Sequence, residues 1–467
     1  MRNNKEFNAD MNRIIFCLFV LALVLVPFGK VQAAGDLDIK LDEPVSPEVL
    51  SEFKKQMQQG YNLQYFVFDP KHTRYLQKHG TSGDELMEKI AEGGFPADEK
   101  CLHVDYIYGW FWQNCKRYYV MYRLSGDTYY IEQLTKYVEA MDWILAKRAH
   151  ILYPRERRAK LGKVTVDMIP WEPAAASNFT AHVYAGRLVL ERARQPGAVV
   201  SRDQIQQARK NLATTIRYME SLIQRNKGLD SEMKVPAEAA RIIREIPWNQ
   251  NMMYFAMLAG TAAALEDLQK VERTSRYQET IELYTGIVIA GIRYFNKVSD
   301  VTELEGRPYV FHSHTPKDPL MPSKDYPDGR IDGHPIFRYP EDVPHSQSTA
   351  WNLLFIWELG ERFGVTDDLL TGVVNTHVDY VLKQPRRFED RTVPRNHIIS
   401  PWTERGRRKS HTWGPIRRIG LPYICYATFN SEVIAEMQRW AKGDAISGFN
   451  RLFVLYGKHI HRVRSKR

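Results

Sequence analysis

The chain has 467 residues, 44% of them hydrophobic and 12% aromatic, with 65 Lys and Arg against 55 Asp and Glu for a formal charge of +10. Four cysteines in that length exclude a disulfide-stapled scaffold, so stability must come from a packed core large enough for one big domain or two. The positive balance points to an acidic partner.

In chain order, Ile14 to Val26 is an almost unbroken apolar run preceded by Arg13, ending in the small-residue pattern Val31-Gln32-Ala33-Ala34. This is the pattern of a secretory signal peptide over residues 1–34, and Met11 offers a second start site. The run is shorter than the ~20 residues of a spanning helix, so cleavage is expected rather than anchoring. Cys17 inside it lacks the context of a lipid-attachment cysteine. The exported, periplasmic part, 35–467, then retains Cys101, Cys115 and Cys425, enough for one disulfide, with Cys101 and Cys115 close enough in sequence to pair. For an exported protein the acidic partner expected from the charge is a polyuronate, not a nucleic acid.

Beyond a poorly periodic region at 46–94, helical spacing dominates. Val104 to Leu124 stops at Ser125-Gly126-Asp127, and a second helix is predicted from Thr128 to His150. The design recurs as Phe179–Arg194 with Arg202–Arg225, Asn249–Leu268 with Thr274–Asn296, His345–Phe363 with Asp367–Leu382, and Leu421–Trp440 with Ala445–Tyr456. Two-helix units spaced by roughly 50 to 70 residues predict an all-α chain built as a single ring or solenoid of α-hairpins. Three long connections interrupt it: His150–Asn178, Lys297–Pro344 and Gln384–Pro422. Connections of that length generally carry function. Tyr309-Val310-Phe311, in the second, predicts a small hairpin or lid.

Four stretches carry chemistry. In Ile246-Pro247-Trp248-Asn249-Gln250-Asn251 a proline and three amides open an apolar helix that continues through Tyr254. Free N–H groups at such an end attract anions, which makes the amides, with Trp248 and Tyr254 beside them, a seat for a sugar carboxylate. The alternative is that Asn249 or Asn251 is an N-cap. Arg338-Tyr339-Pro340-Glu341-Asp342-Val343-Pro344-His345 delivers His345 to a second helix start, where the dipole favours a neutral ring able to take a proton, unless Glu341 or Asp342 holds it as a cap. Trp402 to Tyr423 combines Arg405, His411, Trp413 and Tyr423, rings that stack on sugars and guanidiniums that grip carboxylates. Arg307 and Tyr309 precede His312 and His314, a pair with metal-ligand spacing but no nearby Cys or HExxH-type partner, so no metal or other cofactor is expected.

The Trp-Asn-Gln-Asn helix start followed by Met-Met-Tyr-Phe-Ala, and the later Tyr-Pro-Glu-Asp-Val-Pro-His opening, resemble those of the (α/α)-toroid polysaccharide lyases, alginate and glucuronan lyases in particular. The resemblance covers Val104 to Trp440 and implies a toroid of helical hairpins and metal-independent β-elimination on an acidic polysaccharide. It departs at Asn251, where the family pattern has a histidine. Removing the proton at C5 requires the neighbouring carboxylate to be neutralised, a task for Asn249, Gln250 and an arginine such as Arg338 or Arg307. The resemblance implies a tyrosine as base, acid or both, with Tyr309 first, then Tyr254 and Tyr423, assisted by His345. A tyrosine base requires a pKa below its usual value of about 10.

Three other readings fit the same composition. An inverting glycoside hydrolase needs two carboxylates, and Asp105, Glu172, Glu341, Asp342 and Glu404 are available. A uronate C5-epimerase begins with the same proton abstraction. A glycan-binding protein without catalysis needs only the Trp and Arg platform.

Overall fold

The helix Trp248–Glu272 is apolar on every side, and the fold supplies a neighbour for each of them. In the computed structural model the described residues are 40–59, 104–136, 138, 173–223, 228–317, 330–331, 334–335, 341, 343–383, 386–388, 391–393, 421–441 and 451–467. The signal segment, Cys101, Arg338, Asp342, Arg405, His411 and Trp413 lie outside them.

The chain is helix-rich. Among the described residues its helices are α1 (Pro47–Gln59), α2 (Val104–Ser125), α3 (129–136), α4 (Pro173–Ala193), α5 (Arg202–Ile223), α6 (Ala237–Glu245), α7 (Trp248–Glu272), α8 (Gln278–Val298), α9 (Val343–Leu359), α10 (Asp367–Thr376), α11 (Glu432–Ala441) and α12 (Arg451–Arg464). Among the described residues the strands form three antiparallel pairs: β1 (Asp300–Leu304) with β2 (Arg307–Phe311), β3 (Arg330–Ile331) with β4 (His334–Pro335), and β5 (Arg386–Phe388) with β6 (Arg391–Val393). The β1–β2 hairpin contains the expected Tyr309-Val310-Phe311 run. It turns on Glu305 and Gly306, both at positive φ (52° and 74°), the geometry whose twist suits adjoining strands. Among the described residues no helix is long and apolar enough to cross a membrane.

Contact pairs give the helix directions. Tyr119 on α2 stacks on Tyr184 of α4, and further along Arg123 pairs with Glu191, so the two helices run the same way. Tyr184 and then Arg187 meet Phe355 and then Glu358 of α9, which is again parallel. Phe453 and then His459 of α12 meet Trp351 and then Glu358. α7 lies between α4 and α9 in the same sense: a Cβ on Gly260 would meet Val183 at 2.6 Å and Phe355 at 3.3 Å, and Arg194 pairs with Asp267 beyond. α5 and α8 run back antiparallel, as Phe179 against Tyr218 and Trp248 against Phe295 require. α2 packs on α4, α4 on α7, α7 on α9, α9 on the turn Leu421–Tyr426, that turn on α12, and α12 on α2.

One end of this parallel set holds a buried charge cluster. Glu358, 2% exposed at its side chain, accepts from Tyr119 at 2.8 Å, faces Arg123 at 3.1 Å and His459 at 3.3 Å, and accepts from Tyr456 at 3.4 Å. Burial alone would raise its pKa, but His459, Arg123 and Arg187 override burial and hold the carboxyl far below the usual range.

Three sequence expectations change. The helix expected from Leu421 is a 3-10 turn to Tyr426, and helix resumes only at Glu432, whose N–H is taken by the Asn430 side chain at 3.0 Å. The helix expected to Leu382 passes into a π-helical turn at His377–Leu382. α6, too short for a clear period, was not predicted. Cys115 and Cys425 are buried free thiols.

Candidate functional site

α6 ends at Ile246 in an extended conformation, and Pro247 turns the chain into α7. The Asn251 amide reaches back and donates to the carbonyls of Ile243 at 3.0 Å and Ile246 at 2.8 Å. It therefore ties the end of one helix to the start of the next, and its expected contact with substrate gives way to this internal role. The N–H groups of Gln250 and Asn251 both turn back to the Pro247 carbonyl, and that of Trp248 donates to the backbone carbonyl of His314 at 3.0 Å. The helix start is thus less open to an anion than the sequence suggested. Asn249 is 9% exposed with no hydrogen bond to its amide oxygen, and Gln250 is half-buried.

Trp248 and Tyr254, expected at the sugar, are fully buried. The Trp248 ring sits edge-on to Phe295 at 4.8 Å, and burial drives the Tyr254 hydroxyl upward in pKa, so neither offers a stacking face or a ready base.

β2 brings a different group to the α7 start. His312 is buried against Phe295, with Nδ1 3.2 Å from the Ser313 carbonyl and 3.5 Å from Glu341 Oε2. Burial outweighs the Ser313 contact and pushes its pKa down to about 4, so the ring is neutral at neutral pH, with Nδ1 donating. His314, with its side chain 31% exposed, places Nδ1 3.9 Å from Glu341 Oε1. Its ring meets that of His345 edge to face at 5.0 Å. Glu341 is fully buried, and its Oε2 accepts from Thr349 on α9 at 2.9 Å. His345 is exposed in the first turn of α9. The helix starts at Trp248 and His345, expected to act together, do meet, with His314 between them.

Tyr423 lies at the edge of this group. Its hydroxyl engages Ser346 and its ring stacks on His377 at 3.8 Å, but it is 1% exposed and burial raises its pKa despite the Ser346 contact. Tyr309 is directed elsewhere: its hydroxyl donates to Asp379 at 2.8 Å. Burial, then that carboxylate acceptor, raise its pKa, and Arg307 opposes them without reversing the direction. Arg307 itself pairs with Asp379 at 3.3 Å and Glu432 at 3.8 Å. The lowered tyrosine pKa the sequence reading required is therefore absent at Tyr309, because the residue beside it is an acceptor of its proton.

His314, Glu341 and Thr349 are the additions to the expected set. Alternation along a strand places residues two apart on one side, and His312 and His314 at the end of β2 carried that signal. Among the described residues no three His, Cys, Asp or Glu side chains are arranged to hold a metal ion.

Comparison with known protein families, characterised proteins and solved structures finds no match to this chain.

Proposed function

We propose that the chain is an exported polysaccharide lyase that cleaves an acidic, uronate-containing polymer of the alginate or glucuronan type by β-elimination. The observation that carries this reading is the partly exposed His314, set between His345 and the buried Glu341 where α7 and α9 begin. Elimination needs a group that takes the C5 proton while the C4–O bond breaks and the C4–C5 double bond forms. A neutral imidazole backed by a buried carboxylate has the basicity for that step, and the carboxylate stabilises the imidazolium that results. His314 is the acceptor in this reading, and His345 its partner on the departing oxygen. Asn249 and Gln250, with Arg338, neutralise the substrate carboxylate. Tyr309 leaves the mechanism, and no metal enters it.

The parallel central helices, of which α4 and α7 are each followed by an antiparallel partner, support an (α/α) toroid as the architecture. In such an arrangement one rim carries the helix starts and the site, and the connections expected to hold Arg405, His411 and Trp413 would complete the sugar platform.

The test is incubation of the mature protein with alginate, glucuronan and glycosaminoglycans, following ultraviolet absorbance of the unsaturated uronate and release of reducing ends. Both rise together for a lyase. New ends without absorbance assign a hydrolase, and neither signal leaves an epimerase or a binding protein.

A further inference from the structure

A cavity of about 230 Å³ opens on the outward side of α4, between α3 and α5. Ala185 and Val189 line it one turn apart, whereas Arg187 between them points the other way, to Glu358. Glu358 lies near the end of α9 and His345 at its start, about 20 Å apart along the axis, so the cavity is remote from the helix starts. Its floor is apolar: Ile131, Ala185, Val189 and Ala208 are each at most 6% exposed. Gly186 lets α5 come close beneath it, since a Cβ there would meet Leu212 at 3.3 Å and the Ala208 carbonyl at 3.4 Å. The walls are polar and only partly spent. Asn211, 2% exposed, accepts from Gln207 Nε2 at 2.9 Å, and its own amide hydrogens have no acceptor among the described residues. Gln204 gives its oxygen to the Ser201 N–H at 2.9 Å, which leaves its NH2 unspent. Thr135 donates to the Ile131 carbonyl at 2.9 Å, which leaves its oxygen as an acceptor. Glu132 and Lys136 line the cavity one turn apart, both exposed, without an ion pair among the described residues.

We propose that this cavity is a second carbohydrate site that holds one hexuronate ring, apart from the helix starts where cleavage is placed. Its volume is below the roughly 300 Å³ at which drug-sized pockets begin, and suits a single ring. A pyranose has an apolar C–H face and a rim of hydroxyls that donate and accept at once. The floor takes that face, Asn211 and Gln204 donate to the hydroxyl oxygens, and Thr135, Gln207 and Glu132 accept from the hydroxyls. A buried amide donor that lacks an acceptor is costly, and a sugar oxygen supplies one. Lys136 takes the carboxylate. That last choice, uronate over neutral sugar, rests on the reading of the substrate as a polyuronate; the cavity and its donors do not.

The probes are D-glucuronate and D-glucose, titrated at fixed pH and ionic strength into the full mature chain with labelled isoleucine and valine methyl groups. The NMR signals of Ile131 and Val189 are assigned through Ile131→Val and Val189→Ile. Neither probe has a glycosidic bond to cleave, so binding is read without turnover. Glucuronate should shift both signals saturably with a Kd on the order of 1 mM, the affinity of a ligand of about a dozen heavy atoms at ordinary efficiency. Glucose should bind about threefold more weakly, the worth of one exposed charge pair, and Lys136→Gln should remove that preference. Asn211→Leu should raise both Kd values about tenfold or more. If it does not fold, Gln207→Ala, which removes the amide beside it at a half-buried position, gives the same readout. No saturable shift at Ile131 and Val189 up to about 50 mM, or unchanged Kd values in a folded Asn211→Leu or Gln207→Ala variant, overturns the site. Equal affinity for the two sugars overturns the uronate assignment. Saturable binding with no unsaturated product from any polymer fells the lyase reading and leaves the site standing, and unsaturated product without the shifts does the reverse.

Discussion

The hydroxyl of Tyr119 on α2 donates to Oε1 of Glu358 on α9 across 2.8 Å, joining two helices whose positions in the sequence are far apart. Arg123 and Arg187 close on the same carboxylate, and Tyr456 and His459 reach it from α12. Breaking a buried charge cluster by removing one member leaves the others uncompensated and costs about 3–5 kcal/mol. Glu358→Ala is expected to lower the unfolding free energy by that order, with two buried arginines left sharing only Glu191 among the described residues. A loss below about 1 kcal/mol would show that the cluster adds nothing to closure of the helix set.

His312 makes stability depend on pH. Its folded pKa is about 4 against 6.5 for an unperturbed ring, so between those values the unfolded chain binds the proton that the folded chain refuses. The contribution is complete above about pH 6.5, falls as pH drops through the window, and is gone below about pH 4, a total of about 3 kcal/mol. Denaturation measured across this range should show a shallower decline for His312→Gln than for the wild type, even if the variant is less stable throughout. Parallel curves would place the acid sensitivity elsewhere.

The site assignment separates His314 from Tyr309. His314→Gln and Glu341→Gln are expected to lower kcat by about 100-fold or more, the scale of a lost general base. Tyr309→Phe should stay within about twofold of wild type, since the hydroxyl serves Asp379. Steady-state rates of unsaturated product formation decide this, and the opposite ranking would return the proton transfer to the tyrosine. Asn249→Ala should chiefly raise KM.

Asn251 offers a test of structure alone. Its amide satisfies two carbonyls at the end of α6, and Asn251→Leu leaves both unpaired in an apolar setting. The expected cost is about 2–4 kcal/mol, read from thermal or denaturant unfolding. If stability is unchanged, the carbonyls find other donors and the join between α6 and α7 is not held by this side chain.

The sequence made the long elements visible because their burial is periodic. Val104–Leu124, Arg202–Arg225 and Thr274–Asn296 all lie in observed helices or within a few residues of their ends. α7 was visible for another reason, its lack of any polar face. What stayed hidden depends on partners distant in the chain. Asn251 looked like an anion ligand because the carbonyls it binds belong to α6, a helix of nine residues with too few turns to show a period. Tyr309 looked like a base because Arg307 is adjacent, whereas Asp379 reaches it only once β2 packs on α10. The clasp of Glu341 and His314 required the β1–β2 hairpin to carry His314 across the start of α7, a meeting no local pattern encodes.

The common direction of α2, α4, α7, α9 and α12 has an electrical consequence at the helix ends. Peptide dipoles put roughly half a positive charge at each helix start and half a negative charge at each end, and where the ends of the returning α5 and α8 lie against the starts of α4 and α7 the two signs offset each other. At the rim bearing Trp248 and His345 the positive potential is therefore confined to the first turn of each helix, independent of any titrating group and screened by salt. At the opposite rim the helix ends meet cations. Arg123 and Arg187 lie there, and Arg467 donates to the Glu358 carbonyl at 3.2 Å, at the very end of α9. The arginines gathered on Glu358 thus also meet the negative end of the helix that carries it.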